Sequence, residues 1–157
     1  MLGSTNHPWE RHEESDAGVA VAGGRIERYT AAATLLIGDV VFFSAALTVN
    51  KSVTVANYQL FAGVVVGGTQ TKMQVGNSSE VGQTAANVNE DVLVCVDGKA
   101  WVVADAAIAA PAKLTAGTVT AGRVDDSASA TAGQIIGTYL QVAAAAGNVI
   151  LAQIQHM

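Results

Sequence analysis

The run Val92-Leu93-Val94-Cys95-Val96-Asp97-Gly98-Lys99-Ala100-Trp101-Val102-Val103 decides the fold class. Two short apolar segments, rich in branched valine, flank Asp97-Gly98-Lys99. Valine is stiff at its first side-chain torsion and packs well on a pleated surface, so both segments read as strands. Asp-Gly favours a tight hairpin because both residues tolerate positive φ, which predicts a chain reversal here. Trp101 then lies on the second strand, as a core or interface anchor. Cys95 is the chain's single cysteine. It makes no intrachain disulfide, reads as a small buried hydrophobe, and suits synthesis in a reducing compartment such as a cytoplasm.

The same pattern continues on both sides. Upstream, residues 25–29 read as a short strand, and Ala31-Ala32-Ala33 is a helix-forming run too short to stand alone. Gly38-Asp39 is a turn feeding the strand Val40-Val41-Phe42-Phe43. Leu47-Thr48-Val49 and Val53-Thr54-Val55 alternate around Asn50-Lys51-Ser52 and predict a hairpin. Residues 60–66 form another strand, stopped by Gly67-Gly68; residues 72–75 alternate, and a polar loop runs on through Asn89. Downstream, residues 104–110 meet Pro111 and predict a short turn or loop. Leu114, Val119 and Val124 sit in a glycine-punctuated stretch, and residues 134–142 and 149–154 read as a closing pair of strands. Strands spaced by roughly 8–12 residues, with no long helical stripe, predict an all-β domain over residues 19–157. The expected architecture is a small Gly/Ala/Val-rich β-barrel or β-sandwich with minor helix.

Composition narrows the function classes. The 157 residues are 50% hydrophobic, 13% charged and 5% aromatic. Such an apolar chain with a net charge of only -5 is not a disordered one. The eight Lys and Arg are scattered, whereas counterion release needs clustered cations, so neither nucleic acid nor an anionic membrane is an expected partner. Residues 127–157 carry no Asp, Glu, Lys or Arg, yet polar residues interrupt them; they read as strands packed on other protein, not as a membrane span. Ala and Val supply a thin core that lateral association would strengthen.

Residues 1–18 read as an extended N-terminal arm. Glu10, Glu13, Glu14 and Asp16 against Arg11 place -3 of the total -5 there, beside Trp9, an aromatic with nothing to bury against unless the arm docks. No signal peptide is expected, because the start lacks a basic stretch and an apolar middle.

Motifs for chemistry are missing. Gly63-Val64-Val65-Val66-Gly67-Gly68-Thr69 has the outer glycine spacing of a phosphate loop but no lysine after the last glycine. There is no Gly-x-Ser-x-Gly. The histidines, at positions 7, 12 and 156, are all terminal, where a catalytic base lacks a rigid scaffold. Glu90-Asp91 and Asp125-Asp126 match no calcium loop and read as solvated turns. The expectation is a non-enzymatic protein with no cofactor and no metal.

Five segments carry a resemblance: Ile37-Gly38-Asp39-Val40-Val41, Phe61-Ala62-Gly63-Val64-Val65, the run from Val94 through Asp97-Gly98 to Val102, Gly133-Gln134-Ile135-Ile136-Gly137-Thr138-Tyr139-Leu140, and Ala146-Gly147-Asn148-Val149-Ile150-Leu151. In this order the chain resembles the capsid cement, or decoration, proteins of tailed bacteriophages; the arm lies outside the resemblance. What the resemblance implies is a virion protein on the outer surface of the expanded head. It would cement neighbouring major capsid protein subunits, as a homotrimer at threefold and quasi-threefold positions. Pro8, Trp9, Arg11, Trp101 and Tyr139 are the candidate capsid or subunit contacts. The alternatives are another phage virion module, such as a head fibre base or tail-associated protein, and an enzymatic or ligand-binding barrel.

Overall fold

The computed structural model describes residues 24–51, 60–71, 78–109, 113–126 and 135–155. Its spine is one strand. β7 spans Asp91–Val103 without reversing, so the hairpin expected at Asp97-Gly98 is not there. The local signal had a different use. Gly98 takes φ 126, open only to glycine, and this lets the strand bend instead of turning back. The two halves of β7 do not pair with each other because each has other partners. Residues 91–97 pair antiparallel with β1 (Arg25–Ala31), and residues 92–95 also pair with β5 (Phe61–Gly68). Residues 98–103 pair with β11 (Val149–Ile154).

The first half of β7 closes a five-stranded barrel in the order β1, β4 (Thr48–Asn50), β3 (Val40–Ala45), β5, β7, with β7 returning to β1. The β1–β4 contact is parallel and the others are antiparallel. Closure removes the open edges that a sheet otherwise presents for aggregation. The second half of β7 starts another sheet, running β7, β11, β10 (Gly137–Tyr139), β8 (Lys113–Ala116), β9 (Val124–Asp126). That sheet curls back on its own beginning through a bridge from Ala104 to Val124. The all-β expectation holds, in its barrel form.

Two cores follow from the period-two alternation of strands. Val41, Val49, Ala62, Val65, Val92, Val94 and Ala31 come one or more from each barrel strand and fill its interior. The small ribbon of β2 (Leu35–Leu36) and β6 (Thr84–Ala86) adds Leu35, Ala85 and Ala86 to the same cluster. Val40, Phe42, Val64, Val66 and Cys95 point the other way and pack with Ala100, Val102, Leu114, Ile150 and Ile154 of the second sheet. β5 is thus sandwiched, and residues 61–67 are all buried. Burying a valine fully contributes roughly 1.5 kcal/mol or more, so this shared wall is a main source of stability.

Other expectations shift in detail. Ala31 ends β1 instead of starting a helix. A hairpin joins β3 and β4, with Ala46-Leu47 at its tip and Leu47 at φ 55; the second strand of the hairpin expected around Asn50 falls on residues 52–59, outside the described set. Gly67 and Gly68 extend β5, pairing with Leu93 and Val92. The polar loop before Asn89 holds a 3-10 turn at Ser78–Glu80 and the strand β6, buried at Ala85 and Ala86. Asp125 and Asp126 lie on a strand, not in a turn. Residues 137–139 and 149–154 do form the closing antiparallel pair.

Gly63, at φ 147, lies flat against β7, where an added Cβ would run into the Cys95 carbonyl. Replacing Gly63 with alanine is expected to cost more than about 2 kcal/mol in urea unfolding, with the barrel and the second sheet weakened together. Cys95 is fully buried, and burial pushes its thiol up to about 11, the Asp97 backbone bond opposing this only in part. A maleimide reagent at neutral pH is therefore expected to label Cys95 only after denaturation, read by intact mass.

Candidate functional site

The best-organised surface feature lies at the end of the second sheet, built outward from Ala104 and Asp105, where β7 stops. Ala104 donates its amide to the Asn148 carbonyl at 2.9 Å and accepts from the Gly147 amide at 2.8 Å. Asn148 in turn accepts from the Ala144 and Ala145 amides through its side-chain oxygen, at 2.9 and 3.0 Å. This fixes the loop between β10 and β11. The Asp105 carboxylate, 8% exposed, accepts from the amides of Val119 and Thr120 at 2.8 and 3.1 Å. That fixes the loop between β8 and β9.

The most exposed large side chains on and beside these loops are apolar. Val119 is 82% exposed, Val142 63%, Leu140 47% and Val149 37%. Ala144, Ala145 and Ala146 are exposed between them. Scattered exposed hydrophobes need no explanation, but here they sit on two loops tied to adjacent residues by backbone hydrogen bonds. Loops anchored in this way have less conformational freedom left to lose on docking.

Charged groups lie behind the loops and brace them. Asp39 accepts from the Leu36 amide at 2.9 Å and pairs with Lys51 at 3.5 Å. Its neighbour Val40 donates its amide to the Gly122 carbonyl at 2.8 Å, joining the barrel to the β8–β9 loop. Burial pushes the Asp39 carboxyl up despite the Leu36 amide, Lys51 and Arg123. Burial would push Asp105 up as well, but the Thr120 and Val119 amides, the Thr120 hydroxyl and the Arg123 charge outweigh it and hold that carboxyl below its ordinary value.

Of the residues singled out from sequence, Trp101 and Tyr139 are among the described ones. Pro8, Trp9 and Arg11 lie outside the described residues. Trp101, half-buried on β7, stands opposite Leu151; its Nε1 is buried with no partner among the described residues. Tyr139, half-buried on β10, stands opposite Ala152 and donates its hydroxyl to the Ala109 carbonyl at 2.9 Å. β11 separates the two, so they occupy neighbouring rows of one sheet. Asp105 and the apolar loop tips were missed individually. For Leu140, Val142 and Val149 the legible signal was the absence of charge across residues 127–157; Asp105 and Val119 lie outside that stretch. Among the described residues no group of three His, Cys, Asp or Glu comes together to hold a metal, and no helix is long and apolar enough to cross a membrane.

No family model and no curated protein matches the chain. Solved structures do. A chain from the capsid of Myoviridae phage XM1 matches with a TM-score of 0.57 at 19% identity, covering 84% of this chain and 83% of that one. The head fibre gp8.5 N base of bacteriophage phi29 matches at 0.49 and 12% identity, covering 83% and 92%. The XM1 likeness extends over most of both chains and establishes a shared fold.

Asp105 makes the bracing of the loops dependent on acid. A carboxyl held below its unfolded value contributes stability that is complete above that value and is lost as pH falls through the folded one. Asp39 acts with the opposite sign: its ionised form is penalised in the fold, and acid relieves that cost. Asp105→Asn is therefore expected to cost about 1 kcal/mol at neutral pH and to lose less stability than the parent below about pH 4, read by thermal melting across pH.

Proposed function

We propose that this chain is a structural, non-enzymatic protein of a phage virion. It seats on the outer surface of the expanded head and cements neighbouring major capsid protein subunits, as a homotrimer at threefold and quasi-threefold positions. The observation that carries this reading is the rigid, uncharged apolar end of the second sheet, with Val119, Leu140, Val142 and Val149 exposed on loops braced by Ala104, Asp105 and Asn148. The fold shared with a phage capsid chain supports it. Such a surface suits protein neighbours: it offers apolar area without the desolvation cost of charge. A lattice multiplies modest contacts into firm attachment, so a small Ala/Val-rich unit suffices. The work requires no cofactor, no nucleic acid and no membrane.

Purified protein mixed with expanded, undecorated heads is expected to give ordered density at threefold sites by electron cryomicroscopy. Absence of binding to such heads would overturn the reading. Leu140→Asp with Val142→Asp is expected to reduce occupancy about tenfold or more, because both charges would be desolvated at the contact, with the melting temperature nearly unchanged.

A further inference from the structure

The second sheet carries a different feature on its outer face. Lys99 stands opposite Gln153, Gln153 opposite Thr138, and Thr138 opposite Lys113, so one straight row crosses β7, β11, β10 and β8. The next row, Gly98, Ile154, Gly137 and Leu114, belongs to the buried face, with Ile154 and Leu114 at 0% exposure. The lysine row therefore faces away from the core, and both lysines are exposed. Among the described residues neither lysine makes an ion pair. Asp97, the nearest acid along the strand, stands opposite Arg25. Two residues further along each strand, Trp101 and Leu151 form a half-buried apolar row beside it.

The described chain begins at this row. Gly24 lies against Gly98, where an added Cβ would come within 2.6 Å of the Gly24 Cα, and Gly98 precedes Lys99. Residues 1–23 thus join the domain at the Lys99 end of the row. Asp16 lies eight residue steps before Gly24. Fully extended they reach about 26 Å, while four strands span about 14 Å. The segment within reach holds Glu10, Glu13, Glu14 and Asp16, with Trp9 at its far end.

We propose that the acidic part of the arm, residues 10–16, docks across the Lys99–Gln153–Thr138–Lys113 row of its own chain. Opposite charge lies along the row, and the Trp101–Leu151 row beside it offers Trp9 an apolar neighbour. The proposal stands independently of capsid binding, since every group in it belongs to one chain.

Zero-length carbodiimide cross-linking of the purified full chain at low ionic strength tests it, with peptide mass spectrometry of the monomer band. Amide links from Lys99 or Lys113 to Glu10, Glu13, Glu14 or Asp16 are expected, fading in about 0.5 M sodium chloride. In parallel, Lys99→Gln with Lys113→Gln is expected to speed cleavage after Glu10, Glu13 and Glu14 by a glutamyl endopeptidase about threefold or more, with an unchanged melting temperature. No links in the monomer band, links confined to higher-mass bands, or unchanged cleavage would each overturn the proposal. Head binding is measured separately, so failure here leaves the capsid reading intact.

Discussion

Everything in the fold hangs on one strand serving two sheets. β7 closes the barrel with its first half and founds the second sheet with its second half, and it changes duty at Gly98. A side chain there would collide with Gly24, and φ 126 is closed to other residues. Because the strand bends without breaking, its even-numbered side chains serve two cores. Val92, Val94 and Val96 line the barrel, whereas Ala100 and Val102 lie in the core between the sheets.

That arrangement explains how a chain so poor in large side chains is stable. Alanine and valine fill the narrow interior of a five-stranded barrel, where larger residues would overpack. Aromatic residues pair with one another edge-on: Phe42 against Phe61, and Tyr29 against Phe43 at 5.0 Å. Since β5 is buried on both faces, barrel and second sheet share a wall, and neither is an independent layer. The loops beyond Ala104 inherit that rigidity, which lets them hold apolar side chains in water without collapsing onto the domain.

The strands were legible where local preference and tertiary use agree. Val40-Val41-Phe42-Phe43, the run through Val66, and the closing pair all read correctly because branched residues bounded by glycine have few other uses. The Asp97-Gly98 signal was legible but ambiguous. It announced a glycine with positive φ, which serves a hairpin and a bent strand alike. Only partner strands distant in sequence, β1, β5 and β11, select between them. The same limit hid Asp105, whose role depends on two amides 14 and 15 residues away.

From the sequence alone came the class of structure and the character of its surface: an all-β domain of small side chains, an uncharged C-terminal stretch, and acid concentrated in the first 16 residues. Those are properties of composition and short-range pattern, and they survive without knowing which strands pair. Barrel closure, the double burial of β5, the rigid apolar loop tips and the lysine row were decided by tertiary structure. Each joins residues tens of positions apart, and strand pairing encodes nothing about such distances within a local window.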